Sequence, residues 1–476
     1  MVDCQSFIRI IMSKNTSGGR LGGVLKYISA GFSGSDNVPA GQASTIPGGP
    51  FVTYPGPAKL TLGRVQHAHD AVLEPAEQVT LFGTHGAGAS RIQNSLVAQQ
   101  IARNGAYVLL DVTLDPDRKD LLAHLHRAAG TLDDFRVLNV DRHGTSHTYN
   151  PLIRGRADVV AKRIVSSLMA PAYQGSAPSK SEVAAAEALL TMVVQMLRDR
   201  DGTAQFKGLH EALANEEGFE ALLSSPNLQP TTRLEIMTQF AELQNLETRR
   251  QAFEKLQKLL APLLRLLPTF ATGKFGRVLN VTAPEIDLRE VLCSRKGLFV
   301  MLPTMGKDMV ALAFGRLVLA DLIDALESSP ALAINQNPPP LVVSVETPCL
   351  ATGQLPRAFG AARVAGVSFV AGLGSFKALD ALVESDQQAL LHDRATKVFL
   401  RAHSRETPKA LREFGETLAR AGASNALPDL MAGLHAAPVG EGFISRGVDV
   451  THLQAWPEEK MPGWIPCYDV PERSHG

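Results

Sequence analysis

The chain has 476 residues, 45% of them hydrophobic and 20% charged, which suits about two to four folded units and excludes a disordered chain. Its 47 basic residues balance 47 acidic ones, so no bulk field draws it to nucleic acid or anionic lipid, and DNA binding would need a local basic patch. The four cysteines, Cys4, Cys293, Cys349 and Cys467, are scattered without metal-type spacing, as in proteins of a reducing compartment.

Residues 1–77 form an N-terminal arm, partly irregular, because 33–57 is dense in Gly, Ser, Pro and Thr. The apolar stretch 7–12 is too short for a membrane span of roughly 18 to 20 residues, and no small-residue cleavage site follows it. A cytoplasmic location is therefore expected. His67 and His69 alternate, as do His124 and His126, with no carboxylate cluster at motif distance, so all four are expected on the surface.

From Gln78 the texture changes. An apolar run at 79–82, a glycine loop, helical spacing over 92–103 and a second apolar run at 107–112 open a βαβ unit with a parallel sheet. Helical spacing recurs over 158–170 and 181–200. The stretch 181–267 carries little strand signal and reads as an all-helical insertion. Strand character resumes at 298–302, 341–345, 367–371 and 397–402, with a helix over 308–327. After Asn425 the chain is rich in Pro and Gly again, and an irregular tail is expected. Trp456 and Trp464 in that tail are expected to pack on the chain's own domain or on a partner.

The loop Gly83-Thr84-His85-Gly86-Ala87-Gly88-Ala89-Ser90 fits the phosphate-binding pattern G-x-x-x-x-G-K-[ST] at every fixed position but one. The glycines let backbone N–H groups curl around phosphate oxygens, and the following helix adds partial positive charge. Ser90 supplies the hydroxyl that such loops offer to Mg²⁺, but the lysine is Ala89. Arg91, next along, is turned about 100° away on a helix and is a poor substitute. A plain glycine turn with no phosphate ligand remains the alternative.

Further segments resemble the coupling proteins of conjugation and type IV secretion, the TraD/TraG-like branch of the FtsK/HerA-type P-loop ATPases. The run 108–115 resembles the family's second strand with its D-P-K-G-D ending, keeping Asp111 and Asp115 but placing Thr113 at the lysine. Tyr149-Asn150-Pro151-Leu152 resembles the Y-N-P-L element before the helical insertion, and 266–276 and 295–321 resemble the return from it. The stretch 341–356 is similar to the Walker B strand and its sequel, Ala362-Arg363-Val364-Ala365-Gly366-Val367 to an A-R-x-x-G-V turn, and 396–406 to the late strand.

The resemblance spans 78–425 and implies an α/β, RecA-like P-loop domain with a mostly parallel central sheet flanked by helices and interrupted by an all-α subdomain. Its halves would be 78–175 and 268–425, the insertion 176–267, and the tail 426–476. It implies Gly83, Gly86, Gly88, Ala89, Ser90 and Arg91 as a degenerate phosphate loop, at which ATP and Mg²⁺ would be held only weakly. Where the family has Asp-Glu at the end of its Walker B strand, this chain has Val345-Glu346, leaving Glu346 as the residual catalytic position. The family's strand glutamine is missing from 371–375, and the asparagine expected near His392-Asp393 is also absent. Arg363, Arg394, Arg401 and Arg405 stand where an arginine could reach a neighbouring subunit, or are ordinary surface arginines.

Losing the phosphate charge, the metal anchor and the sensor together should remove most catalytic electrostatics. The resemblance thus implies a pseudo-ATPase with no certain cofactor and no metal site. Its expected role is a structural or substrate-recruiting component of a type IV secretion or conjugation system, held at the inner membrane through partners. Those partners would be other secretion subunits, an active coupling ATPase, secreted or relaxosome cargo, or further copies of the chain. The alternatives are an active ATP-driven motor that moves DNA or protein, and a nucleotide-binding switch that does not hydrolyse.

Overall fold

A computed structural model describes residues 43–46, 49–52, 60–65, 69–113, 115–169, 179–239, 246–302, 309–329, 337–391, 394–402, 409–420, 433–447 and 449–454. His67, His392-Asp393, Arg405, Trp456, Trp464, Cys4 and Cys467 lie outside them. The chain divides into two compact units. The first holds residues up to 135, 291–299 and 329 onward, and the second holds 136–290 and 300–328.

Thirteen strands are described: β1 (Ala43–Ile46), β2 (Gly49–Val52), β3 (Leu60–Val65), β4 (His69–Leu73), β5 (Gln78–Phe82), β6 (Tyr107–Asp111), β7 (Phe135–Leu138), β8 (Gly297–Met301), β9 (Leu341–Val345), β10 (Ser368–Leu373), β11 (Thr396–Leu400), β12 (Glu441–Arg446) and β13 (Asp449–Gln454). β1 and β2 form a separate antiparallel pair. The large sheet of the first unit runs in the order β4-β3-β13-β12-β11-β5-β10-β9-β6-β8.

The centre of this sheet is parallel: β11 with β5, β5 with β10, β10 with β9, and β9 with β6. Each of these strands is buried along its whole length, as parallel strands covered on both faces must be. That explains why they stand in the sequence as short unbroken apolar runs. Phe82 stacks on Phe399 at 4.9 Å and on Phe376 at 5.9 Å between ring centroids, locking β5 to β11 beneath the site.

The sheet corrects one expectation. Within the tail read as irregular, β12 and β13 form a hairpin that pairs antiparallel with β11 and β3. The glycines that suggest a loop have strand and turn roles. A side chain on Gly442 would collide with the Phe399 carbonyl, and Gly447 takes φ +61° in the hairpin turn. The strand pair β3–β4, also unforeseen, extends the same edge.

A second correction concerns His126. It was expected on the surface, but only 3% of it is exposed. Tyr107 Oη donates to its Nε2 at 2.8 Å, and its Nδ1–H donates to the Thr131 carbonyl at 3.1 Å. Phe135 stacks on the ring at 4.7 Å, and Gly297 has no side chain because a Cβ there would strike both Tyr107 and His126. Burial pushes the imidazole pKa down to about 4, with the Thr131 hydrogen bond opposing.

The second unit is helical over Lys180–Asp201, Phe206–Leu213, Glu216–Leu223, Pro230–Gln239, Leu246–Leu259 and Ala261–Ala271. Ser179 and Glu182 form a reciprocal cap at its first long helix. The unit reaches beyond the insertion because ion pairs tie its flanks in. Arg163, on Ala157–Ile164, bonds Asp321 at 2.7 Å and Asp324 at 2.9 Å on Met309–Glu327. Arg198 caps the carbonyls of Leu152, Ile153 and Gly155 at 2.9, 3.3 and 2.8 Å. No described helix is long and apolar enough to cross a membrane.

Candidate functional site

The carboxyl ends of β5, β6, β9 and β10 converge in the first unit. In open parallel sheets that is where ligands bind. A cavity of about 480 Å³ lies there, lined among others by Gly83–Arg91 except Ala87, by Gln93 and Asn94, by Thr113–Leu121 in part, and by Val345, Glu346 and Gly372–Gly374.

The loop Gly83–Gly88 links β5 to the helix Ala89–Ala102. Gly86 and Gly88 take φ +80° and +104°, which a side chain would strain. Gly83 N–H donates to the Leu373 carbonyl at 3.0 Å, and the Thr84 amide and hydroxyl both donate to the Arg401 carbonyl at 3.2 and 2.9 Å. From outside, Gly440 N–H donates to the Ala87 carbonyl at 2.9 Å, and a Cβ on Gly88 would come within 3.0 Å of the Gly440 Cα. The hairpin read as tail therefore braces the loop. The helix Ala89–Ala102 follows with no side-chain cap, so its first N–H groups face the cavity end.

The site residues read from sequence are brought together. Gly83, Gly86, Gly88, Ala89, Ser90, Arg91 and Glu346 all line the cavity. Ala89 offers no charge. Arg91 is buried in the cavity wall at 6% exposure. Glu346 has left-handed backbone, φ +54° and ψ 48°, a conformation that costs a non-glycine residue about 1 kcal/mol or more. Its Oε2 accepts the Gly374 N–H at 3.1 Å, and a side chain at 374 would collide with Oε1. Burial raises the Glu346 pKa; the Gly374 hydrogen bond and His85 oppose this, while Asp111 adds to it.

Val345 faces the cavity at 5% exposure, in register with Asp111 of β6. Asp111 is fully buried and its oxygens are already engaged. Oδ1 accepts from the Thr113 amide and hydroxyl at 2.7 and 2.6 Å, and Oδ2 pairs with Arg118. Asp115 caps the helix Pro116–Ala129 by accepting from the Arg118 amide at 3.2 Å. Among the described residues no three His, Cys, Asp or Glu side chains cluster as metal ligands. With valine at one position and a guanidinium on the other carboxylate, the residues present do not fit a magnesium ion.

The chain matches no protein-family model and no curated protein. Solved structures do match. A bacterial conjugative coupling protein, TrwB in a form lacking its N-terminal segment, is 15% identical; 81% of this chain covers 88% of it with a TM-score of 0.53. The fold is that of TrwB. The plasmid coupling protein TrwB in complex with ADP and Mg²⁺ is 15% identical over 82% of this chain and 81% of that one, with a TM-score of 0.51. VirB4 of Thermoanaerobacter pseudethanolicus is 15% identical over 84% of this chain and 97% of its own, with a TM-score of 0.50.

Sequence reasoning missed Gln93, Asn94 and Arg118. Gln93 and Asn94 follow Ser90 by three and four residues on one helix, so the three share a face. Two carboxamides on the sheet-facing side of a buried helix are the clue that helical spacing offers. Arg118 reaches back to Asp111 across a turn, and no local pattern marks that pair. Of the four arginines considered for a neighbouring subunit, Arg363 and Arg394 are exposed and Arg401 is half-buried.

Proposed function

We propose that the chain is a coupling-protein homologue that serves a type IV secretion or conjugation system as a structural or substrate-recruiting component and does not turn over ATP. One observation carries this reading: the phosphate loop keeps its backbone form while Ala89, Val345 and Gly372–Gly374 supply neither the lysine, the metal carboxylate nor a strand glutamine. Phosphoryl transfer depends on positioned charge, and removing one such group typically costs about a hundredfold or more in rate. The glycine frame remains able to cradle a phosphate.

On this reading residues 78–175 and 268–425 are the halves of the RecA-like domain, and the helical segment between them carries the family's insertion. The partners are other secretion subunits, an active coupling ATPase that supplies the energy, cargo bound for export, and further copies of the chain. The protein sits in the cytoplasm and is held at the inner membrane by those partners.

Complementation tests the role. Deleting the gene should abolish conjugative transfer or secretion by its own system. Wild type and Glu346→Gln should then restore it equally, because the carboxylate has no catalytic duty. Unchanged transfer after deletion would refute the assignment to that system, and failure of Glu346→Gln alone would refute the non-catalytic reading.

A further inference from the structure

The guanidinium of Arg103 is buried with nothing to hold it. The residue closes the helix Ala89–Ala102 and is 5% exposed. Among the described residues nothing accepts from its Nε or Nη1. Its Nη2 bonds none of them either, and is the nitrogen that solvent still reaches. Burial lowers the pKa of the group to about 10. A buried cation is costly unless it is paired, so this one calls for a carboxylate.

The strand beside it has an open edge. β3 pairs with β4 along its length, but with β13 only at Val65 and Arg64, opposite Leu453 and Gln454. At Thr61 a side chain takes over. Gln99 Oε1 accepts the Thr61 amide at 2.9 Å, and Gln99 Nε2 donates to the Thr61 carbonyl at 3.1 Å. These are bonds of the kind that a neighbouring strand makes. Arg103 lies one helical turn beyond Gln99 on the same face, and a long side chain there leans back toward it.

The chain itself leads to this place. β13 ends at Gln454, and the sequence continues Ala455-Trp456-Pro457-Glu458-Glu459-Lys460. Extended in the β13–β3 register, Ala455 and Trp456 fall opposite Gly63 and Leu62, and Pro457 falls opposite Thr61. Proline has no N–H for a ladder, and Gln99 has already taken the Thr61 groups that it would face. Two carboxylates come next. Other segments bordering the site carry none: 53–59 ahead of β3 and 330–336 ahead of Pro338 contain no Asp or Glu, and Lys59 adds a further positive charge.

We propose that residues 455–459 continue β13 along the open edge of β3 and seat the Glu458-Glu459 pair on the Arg103 guanidinium, with the Trp456 indole packed against β3. The carboxylates would meet Arg103 at Nη2, the nitrogen left accessible. This contact fastens the tail to the far end of the helix whose near end is already braced by the Gly440 amide on the Ala87 carbonyl.

Trp456 and Trp464 are the only tryptophans, so in full-length Trp464→Phe the indole emission reports residue 456 alone. That emission should be blue-shifted and protected from acrylamide. Adding Glu458→Gln/Glu459→Gln should move it to the red and raise quenching to that of an exposed indole, with the circular dichroism spectrum unchanged. Thermal melts supply a second readout. Arg103→Met should raise the midpoint more in the Glu458→Gln/Glu459→Gln background than beside the two carboxylates, because only there does it remove an unpaired buried cation. Three results would overturn the proposal: exposed-indole emission before any glutamate is changed, a glutamine variant that emits and quenches as its parent does, or an Arg103→Met effect equal in both backgrounds. Emission that turns blue only as protein concentration rises would also overturn it, because the tail would then be docking on a second copy.

Discussion

Arg163→Met should destabilise the second unit by about 3–5 kcal/mol, the cost of stripping one partner from a buried ion pair. The guanidinium is 1% exposed and bridges Asp321 and Asp324, which stand 10% and 11% exposed. It also donates to the Pro151 carbonyl, while Tyr149 Oη donates to Asp321 Oδ2 at 2.5 Å. One residue thus joins Ala157–Ile164, the Tyr149–Leu152 turn and Met309–Glu327. Two opposite pulls act on Asp321: burial raises its pKa, and Arg163 together with the Tyr149 hydroxyl lowers it. Without Arg163 the carboxylates face each other uncompensated. Urea unfolding followed by circular dichroism reads the loss as a lower midpoint. Arg163→Met/Asp321→Asn should recover part of it, because asparagine removes the charge and still accepts from Tyr149. A double variant no more stable than the single one would show that packing, rather than uncompensated charge, sets the cost.

Acid should weaken the first unit through His126. Its pKa falls from an ordinary 6.5 to about 4 in the fold. Between those values the unfolded chain binds a proton that the folded chain refuses. Stability is therefore intact above about pH 6.5 and lost progressively toward pH 4, by up to about 3 kcal/mol for this group. Buried acids act in the opposite sense. Glu346 and Asp386 have pKa values raised by burial, so protonating them favours the folded state as pH falls. The informative quantity is thus the difference between wild type and Tyr107→Phe/His126→Phe, a pair that removes the imidazole without orphaning the tyrosine hydroxyl. Urea midpoints measured from pH 7 to pH 4 should fall more steeply for wild type. Parallel slopes would show that His126 takes up its proton in the fold.

Much of the fold was legible because its centre is made of local signals. The runs at 79–82, 107–112 and 341–345 fall within a residue of β5, β6 and β9, since strands buried on both faces need unbroken apolar sequence. The mostly parallel sheet followed from their alternation with helices. What stayed hidden depends on distant partners. Gly442 and Gly447 look like loop glycines until Phe399 and the hairpin turn show why no side chain fits. His126 looks like a surface histidine until Tyr107, Phe135 and Gly297 close around it.

The site divided the same way. Gly83–Ser90 stood out in the sequence through its spacing, and it lines the cavity together with Val345 and Glu346. The cavity wall did not. Gln93 and Asn94 sit on a helix where polar residues usually mean solvent, and their place in the cavity wall is set by the carboxyl ends of four strands. Glu346 was read as a leftover catalytic carboxylate. Its left-handed backbone and its bond to Gly374 also give it a place in the packing of that corner.

On the proposed function, this TrwB-like fold has a phosphate loop and no phosphoryl transfer. Phosphate release from ATP by the purified chain, with magnesium present, tests it most directly when set beside Ser90→Ala/Glu346→Gln prepared in the same way. The account predicts that both proteins release phosphate at the same background rate. A wild-type rate above that of the double variant would contradict it.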